Sequence, residues 1–331
     1  MQLWIAGFVV LVVKIGLVLN ALLLMAAWLV LAERRLLAWI QIRLGPNRAG
    51  PFGLLQPLAD VIKLMTKEDL IPAGAERIIF LYAPGVVGAT ALLIFAVVPF
   101  GKGWTLFGRE IPMVISDLNV GVLYVLALSS LGVYGMALGG WSSNSKFSLL
   151  GGVRGVAQMI SYELSLGLSL VPVVMLAGSL SLVDIVEAQG KYPFILVQPV
   201  SFLIFFISAA AEIKRIPFDL PEAENELVAG YHTEYSGLRF GLFFLGEYVT
   251  MVVLGALVAI FFLGGWRGPL LPPIVWFLAK VMLVVFVMVW LRATLPRLRY
   301  DQLMQLGWKF LIPLALLNIM ATGAIILLIK G

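Results

Sequence analysis

Residues 3–32 read LWIAGFVVLVVKIGLVLNALLLMAAWLVLA, an apolar stretch that contains one charged residue, Lys14, and that Glu33 terminates. A membrane-spanning helix needs about 20 mostly apolar residues, and this stretch is longer than that. It is too long for the apolar core of a signal peptide, and no small-residue cleavage site follows it. The stretch therefore predicts a helix that spans a membrane in the mature protein.

Seven further apolar runs follow along the chain. They cover roughly residues 77–99, 118–140, 154–178, 195–213, 237–263, 273–292 and 305–329. Only 12% of the 331 residues are charged and 61% are hydrophobic, whereas a soluble domain carries roughly 25% charged residues. We predict an all-α integral membrane protein of about eight transmembrane helices, folded as a single membrane domain over residues 1–331.

The lysines and arginines between the runs and near their ends predict the orientation of the chain, because they are enriched on the cytoplasmic side of a membrane. One set of loops carries sixteen of them and the other set carries five. The sixteen are Arg34, Arg35, Arg43, Arg48, Lys63, Lys67, Arg77, Lys146, Arg154, Lys214, Arg215, Arg239, Arg292, Arg297, Arg299 and Lys309. Together with an even number of helices, this asymmetry predicts that both termini lie on the outer, periplasmic side.

The rare residue types exclude several kinds of cofactor site. The chain has no cysteine, which excludes disulfides and cysteine-ligated zinc or iron–sulfur clusters. It has one histidine, His232, so a bis-histidine haem cannot form within this chain alone. The net charge of +5 is not gathered into a basic patch with interleaved aromatic residues, so nucleic-acid binding is not expected.

The cytoplasmic loop over residues 33–76 contains a predicted amphipathic helix over residues 54–67. Its polar residues recur at steps of four, three and four, which places them on one stripe of a helix too short to span. These polar residues are Gln56, Asp60, Lys63 and Lys67. The helix is either a membrane-surface anchor or the roof of an opening into the protein, and the pattern favours neither.

Carboxylates lie within or at the ends of the apolar runs, where an ionisable residue is costly and usually faces the bundle interior. Glu163 lies well inside the fourth run, Glu212 at the inner end of the fifth, and Glu247 about a third of the way into the sixth. Structural ion pairs between helices, for example with Arg34, Arg35 or Arg292, would explain any one of them. The spans supply only Lys14 and Lys280 as cations, so the set as a whole favours a proton or ion pathway.

A second group of acids lies in the cytoplasmic loop over residues 212–236, which contains two prolines that forbid a continuous helix. Its acids beyond Glu212 are Asp219, Glu222, Glu224, Glu226 and Glu234. A run of charges is usually a solvated loop. Here apolar residues such as Phe218 and Leu220 alternate with the acids, which favours a loop that folds back into the protein.

Several ordered blocks resemble the family of H-type membrane subunits of respiratory complex I, the proton-translocating NADH:quinone oxidoreductase. The blocks are residues 33–35 (ERR), 43–50 (RLGPNRAG), 56–60 (QPLAD), 218–224 (FDLPEAE), 226–231 (ELVAGY), 234–237 (EYSG) and 299–304 (RYDQLM). The resemblance extends from the first run to the last. The family's Phe-Pro-Phe motif reads Ile216-Pro217-Phe218 here, an apolar replacement that affects only local packing.

The resemblance implies a subunit that joins the hydrophilic arm to the membrane arm and forms part of the quinone chamber. It implies a bacterial inner-membrane protein with bound quinone, and with no metal, flavin or iron–sulfur cluster on this chain. The implied partners are the iron–sulfur and quinone-site subunits of the hydrophilic arm, the small membrane subunits, the antiporter-like subunits and the lipid bilayer.

The resemblance also assigns roles to residues. Those implied at the quinone site are Arg34, Arg35, Asp60, Phe218, Asp219, Glu222 and Glu224. Those implied in the proton pathway are Glu33, Glu163, Glu212, Glu226, Glu234 and Glu247. Acids close to the chamber would change protonation as quinone reduction places negative charge there. A stand-alone proton or cation transporter and the anchor of a related membrane-bound hydrogenase are the alternative interpretations.

Overall fold

The computed structural model describes residues 2–106, 109–190 and 192–330, and these residues are mainly helical. The helices are α1 (Gln2–Ile40), α2 (Gln56–Thr66), α3 (Arg77–Ile94), α4 (Gly121–Ser142), α5 (Lys146–Ala177), α6 (Leu182–Ala188), α7 (Phe194–Val197), α8 (Pro199–Glu212), α9 (Glu224–Leu227), α10 (Gly237–Phe262), α11 (Pro273–Thr294), α12 (Tyr300–Gln305) and α13 (Ile312–Lys330). A π-helical turn over Leu306–Leu311 joins α12 to α13. Short 3₁₀ turns occupy Pro51–Gly53, Phe95–Val97 and Gly230–His232.

Among the residues that the structure describes, seven helical segments are long and apolar enough to span a membrane. They are Gly7–Ile40, Arg77–Val97, Gly121–Ser142, Lys146–Ala177, Gly237–Phe262, Pro273–Thr294 and Tyr300–Ile329. Each corresponds to one predicted run, so the all-α membrane fold is confirmed. The number of eight spans and the side of the two termini stay predictions.

The remaining predicted run, residues 195–213, forms two helices instead of one. The short helix α7 ends at Val197, and α8 begins at Pro199, whose ring suits the first turn of a new helix. The 14 residues of α8 are about 21 Å long, which is less than the roughly 30 Å of a bilayer's hydrocarbon core. An eighth span would therefore need α7 and α8 together.

Several helix ends differ from the predicted ones. α1 continues to Ile40, so the first part of the predicted loop 33–76 is helical, and α5 begins at Lys146 rather than at residue 154. The connection between the predicted runs 77–99 and 118–140 contains an antiparallel pair of short strands, β1 (Trp104–Leu106) and β2 (Arg109–Ile111). The connection between the predicted runs 154–178 and 195–213 contains α6.

Helix α10 lies at the centre of the bundle, where it packs against α1, α3, α8 and α11. In the most apolar 18-residue stretch of α10, 83% of the residues are buried, which is a larger share than in any of the other six spanning segments. Its glycines allow neighbouring helices to approach, since a Cβ at Gly246 would lie 2.8 Å from a side-chain carbon of Val87 on α3. The other long helices surround α10 and expose apolar side chains outward, as lipid-facing helices do.

The loop between α8 and α10 folds back onto the bundle. A Cβ at Gly230 would lie 1.7 Å from the Pro221 carbonyl oxygen, so only glycine permits this close approach, and its φ of +61° also favours glycine. From α5, the Gln158 amide donates to the carbonyls of Ala211 at 2.8 Å and Phe218 at 2.7 Å. The acidic loop is therefore part of the packed protein for much of its length.

Candidate functional site

One buried arginine of the α8–α10 loop joins two carboxylates that come from different helices. Arg215 donates to both oxygens of Glu33, in the C-terminal part of α1, at 2.7 Å. Its second nitrogen, Nη2, lies 3.6 Å from a carboxylate oxygen of Glu247 on α10. The three side chains are 10%, 2% and 7% exposed, respectively, so these charges interact in a medium of low dielectric constant.

Further donors complete the surroundings of Glu33. Arg292 of α11 pairs with it, and the Tyr248 hydroxyl donates to it at 2.6 Å. The Tyr248 ring also faces the guanidinium of Arg215, whose carbon lies 4.3 Å from the ring centroid. Burial alone would lower the pKa of Arg215, but the Glu33 carboxylate raises it, so the guanidinium stays charged.

Glu222 of the loop is hydrogen-bonded to Glu247. Burial, and next the negative charge of Glu247, raise the pKa of Glu222 well above its ordinary value. Glu222 therefore keeps its proton and donates it in a hydrogen bond to the Glu247 carboxylate. The Tyr231 hydroxyl donates to the same carboxylate at 3.0 Å, and burial raises the pKa of this phenol well above its ordinary value.

Asp219 extends this group toward the start of α12. Arg297 donates to its Oδ2 atom at 2.6 Å. The other oxygen, Oδ1, is buried and accepts no hydrogen bond from the residues that the structure describes. Burial raises the pKa of Asp219 despite the nearby arginine, because the desolvation of the carboxylate outweighs the attraction.

We call these residues the inner acidic cluster. Its members are Glu33, Asp219, Glu222, Glu247, Arg215, Arg292 and Arg297. Four carboxyl groups therefore face three arginines, which agrees with one carboxyl, that of Glu222, being neutral. The arrangement can hold one proton next to a fixed set of charges.

Two other glutamates have hydroxyl partners instead of arginines. The Ser130 hydroxyl donates to Glu163, and the Ser129 hydroxyl donates to Glu212. The two carboxyl groups lie close enough for their charges to repel, and Lys214 attracts Glu212. No ion pair within 4.0 Å joins either carboxylate to a cation in the described part of the chain. We call Glu163 and Glu212 the hydroxyl-bonded pair.

A small cavity lies between the two groups of glutamates. Its volume is about 50 Å³, and Glu212, Glu247, Lys214 and Ser129 contribute to its walls. A water molecule needs roughly 10–15 Å³ measured in this way together with polar partners. The cavity therefore has room and polar groups for more than one water between Glu212 and Glu247.

The predicted amphipathic helix α2 is attached to α1 by an ion pair. Arg34 donates to Asp60 at 2.8 Å, and Gln56 donates to the same carboxylate at 3.0 Å. Arg35, next to this pair, donates to the Phe52 carbonyl oxygen. Five apolar side chains of α2 or its start are at least 46% exposed, and they are Leu55, Leu58, Val61, Ile62 and Met65.

The structure does not bring every predicted site residue to these groups. Phe218 is buried and packs against Tyr162, with ring centroids 5.6 Å apart. Glu226 pairs with Arg154 at 2.5 Å near the surface, where its side chain is 53% exposed. Glu234 is half-buried between the 3₁₀ turn and α10, and the side chain of Glu224 lies outside the described residues.

Several residues of the site do not stand out in the sequence. Arg215 is one of many cationic loop residues, and Tyr231 is one of several loop aromatics. The sequence does indicate other partners of the carboxylates, since Ser129 and Ser130 interrupt an apolar run and Tyr248 adjoins Glu247. Polar residues at the same depth as a buried carboxylate are its expected partners.

Comparison with known proteins gives consistent matches over almost the whole chain. A family model described as NADH dehydrogenase matches residues 13–323. The chain is 72% identical over 324 residues to a NADH-quinone oxidoreductase H subunit of Syntrophobacter fumaroxidans, covering 98% of each chain. It is 66% identical to an H subunit of the same enzyme from Geobacter sulfurreducens, covering 96% of each chain. It is 56% identical to the H subunit of Thermomicrobium roseum, covering 93% of each chain.

Proposed function

The chain belongs to the NADH dehydrogenase family as the H-type membrane subunit of NADH-quinone oxidoreductase, and from this premise we propose that it forms part of the quinone site and couples quinone reduction to proton movement. The family membership confirms the resemblance seen in the motifs. It favours this function over a stand-alone transporter or a hydrogenase anchor.

The observation that carries the proposal is the bridge that Arg215 makes between Glu33 and Glu247. Quinone reduction takes up electrons and protons, so negative charge develops at the site before protons arrive. Charges held in a low-dielectric interior respond strongly to a new charge nearby. A shift of Arg215 toward or away from Glu247 would change the hydrogen bond that Glu222 donates to Glu247.

The proton pathway would continue from this bridge into the membrane interior. The cavity joins Glu247 to Glu212, and Glu212 lies near Glu163 through the adjacent hydroxyls of Ser129 and Ser130. Protons pass between carboxyl groups through hydroxyls and waters that both donate and accept. Lys214 lines the cavity, and its positive charge would stabilise a deprotonated carboxylate there.

The quinone itself would approach along α2. Exposed apolar side chains of this helix suit an isoprenoid tail, and the cations Arg34 and Arg35 suit the oxygen atoms of the headgroup. The residues that we propose at the quinone site are Arg34, Arg35, Asp60, Phe218, Asp219, Glu222 and Glu224. The buried Oδ1 atom of Asp219 is an acceptor available to a proton donor, either a protonated headgroup oxygen or a group from a neighbouring subunit.

The chain would work only within an assembly in the bacterial inner membrane. Iron–sulfur and quinone-site subunits of the hydrophilic arm would cover the inner side, where α2 exposes its apolar residues. Small membrane subunits and antiporter-like subunits would receive the protons or the charge displacement. Glu226 and Glu234, in the loop, would belong to the entry of the proton pathway.

The test is the variant Glu247→Gln in the assembled complex, reconstituted into sealed vesicles. Glutamine keeps the shape and can accept from Tyr231, but it has no charge for Arg215 and no proton to exchange. We expect lower quinone reductase activity and lower proton pumping per electron pair. The control is Glu187→Gln, an exposed residue of α6. Normal reduction together with normal pumping in Glu247→Gln would contradict the proposal.

A further inference from the structure

A large apolar groove lies at the other end of the bundle from the inner acidic cluster. Its volume is about 590 Å³, and it lies between α1, α10, α11 and residues 111–115. Leu17, Met25, Val252 and Phe277 contribute to its walls. The proposed proton pathway from Glu33 to Glu163 does not use this groove, so the proposed function leaves it unexplained.

One cation lines this groove. Lys14 of α1 donates to the carbonyl oxygens of Pro112 at 2.8 Å and Val114 at 2.9 Å. An ammonium group has three N–H donors, so one donor remains for a further acceptor. Among the described residues that line the groove there is no carboxylate, and the positive charge is therefore not balanced within it.

The position of Lys14 along α1 gives its depth in the membrane. Lys14 precedes Glu33 by 19 residues of continuous helix, which is about 28 Å at the rise of an α-helix. The hydrocarbon core of a bilayer is about 30 Å thick. If Glu33 lies at the inner boundary, Lys14 lies close to the outer headgroups, and the groove runs inward from it along Leu17 and Met25.

We propose that this groove binds one acyl chain of an anionic phospholipid from the outer leaflet, with its phosphate on Lys14. The apolar walls match a hydrocarbon chain, and the unbalanced ammonium matches an anionic headgroup at the same depth. The volume falls within the roughly 300–1,000 Å³ of small-ligand sites. It is too small for a transmembrane helix, which is about 10 Å across.

The test measures the lipids that stay with the purified complex. We would exchange the complex into nanodiscs that contain phosphatidylglycerol and phosphatidylcholine in equal amounts, re-extract it, and count bound lipids by mass spectrometry. Ala21→Phe fills the groove from α1, and it should reduce the retained phosphatidylglycerol by about one molecule per complex. Leu24→Phe is the matched control, because it places the same ring on an exposed position of the same helix.

The charge is tested separately at Lys14. Lys14→Gln removes the cation and should lower the ratio of bound phosphatidylglycerol to phosphatidylcholine about fivefold, as expected for one interfacial cation. Lys14→Arg keeps the charge and should preserve the ratio. A preserved ratio would show that the change in Lys14→Gln comes from the missing charge and not from altered contacts with Pro112 and Val114.

Two results would overturn the proposal. One is equal lipid retention in Ala21→Phe and Leu24→Phe, and the other is an unchanged lipid ratio in Lys14→Gln. Quinone reductase activity should be retained in all of these variants. The activity measurement therefore tests the quinone site, whereas the lipid counts test the groove.

Discussion

The inner acidic cluster and the hydroxyl-bonded pair place glutamates in one bundle with opposite kinds of partner. In the cluster, Glu33 accepts from two arginines and a tyrosine, and Glu247 faces Arg215. In the pair, Glu163 and Glu212 each accept from one serine of α4. The difference lies in what each partner can do when a proton arrives.

An arginine can only donate, whereas a serine hydroxyl can donate or accept. A carboxylate bound by arginine therefore loses much of its stabilisation when it is protonated. A carboxyl bound by serine keeps a hydrogen bond in either state, because the hydroxyl reverses its direction. We therefore propose that the cluster holds charge in place and that the pair passes protons on.

The largest expected effect follows from removing the arginine at the centre of the cluster. Arg215→Ala leaves Glu33 and Glu247 buried without their shared cation, and breaking a buried pair in this way costs about 3–5 kcal/mol. We expect little assembled complex in the membrane, measured by native gel electrophoresis, and a lower melting temperature for what assembles.

Two variants calibrate this result. Arg215→Lys keeps the positive charge but lacks the planar guanidinium that contacts both Glu33 and Glu247. It should lower assembly and the melting temperature by less than Arg215→Ala does. Arg154→Ala removes an exposed ion pair with Glu226 and should assemble normally. Wild-type assembly and melting in Arg215→Ala would show that the cluster does not depend on fixed charge.

The next effect concerns the hydroxyl-bonded pair and changes pumping rather than assembly. Glu212→Gln can still bond to Ser129 but cannot release a proton. We expect normal assembly and a fall in proton pumping of about a hundredfold or more, the lower end of the range for loss of a proton-transfer group. Pumping is measured as acidification of sealed vesicles per NADH oxidised.

The matched variant in the other region is Glu33→Gln, which leaves Arg215 and Arg292 opposite a neutral group. It should impair assembly as well as pumping. If Glu212→Gln impaired assembly to the same degree, the distinction between the two regions would be lost.

A smaller effect concerns pH and the proton that Glu222 holds. Its pKa in the folded protein is raised above the ordinary value of 4.5 by burial and by the charge of Glu247. As the pH rises above 4.5, an unfolded chain releases this proton first while the folded chain still binds it. The free energy of unfolding contributed by Glu222 therefore falls until the pH passes the raised pKa.

We expect the melting temperature of the wild-type complex to fall more steeply with rising pH than that of Glu222→Gln, which cannot lose the proton. Differential scanning fluorimetry across a pH series measures both slopes. Glu68→Gln, at an exposed position, serves as the control. Parallel curves for Glu222→Gln and the wild type would mean that Glu222 is ionised in the folded protein.

The smallest effect is expected at the ion pair between Arg34 and Asp60, which attaches α2 to α1. The arginine side chain is 40% exposed, and such pairs contribute about 0.2–1 kcal/mol. Arg34→Ala should assemble and melt almost as the wild type does, but with a higher KM for quinone if α2 lines the approach. A large loss of assembly would place this pair with the inner acidic cluster instead.

The sequence predicts most of the fold because apolar runs of spanning length are visible without any knowledge of packing. Seven runs correspond to the spanning segments. The run at residues 195–213 reads as one helix in the sequence, although Pro199 divides it. The continuation of α1 to Ile40 is not predicted, because Glu33, Arg34 and Arg35 resemble the end of a span and their burial depends on distant residues.

The sequence predicts the carboxylates of the site but not most of their partners. Glu33 and Arg215 are separated by 182 positions, and no local pattern links them. Arg292 is a candidate ion-pair partner from the sequence, whereas the interaction of Arg297 with Asp219 depends on how the α8–α10 loop folds back. The roles assigned to all these residues remain predictions.

The central position of α10 has a consequence for how the protein is made. The helix that fills the middle of the bundle begins at Gly237, so the ribosome has completed α1 to α9 before it emerges. Those earlier helices must wait in the bilayer with the faces that α10 will contact, including that of Glu33, not yet covered. We therefore expect the unfinished chain to need the insertion machinery or a chaperone until residue 262 has entered the membrane, and nonsense mutations before Gly237 to yield chains that are rapidly degraded.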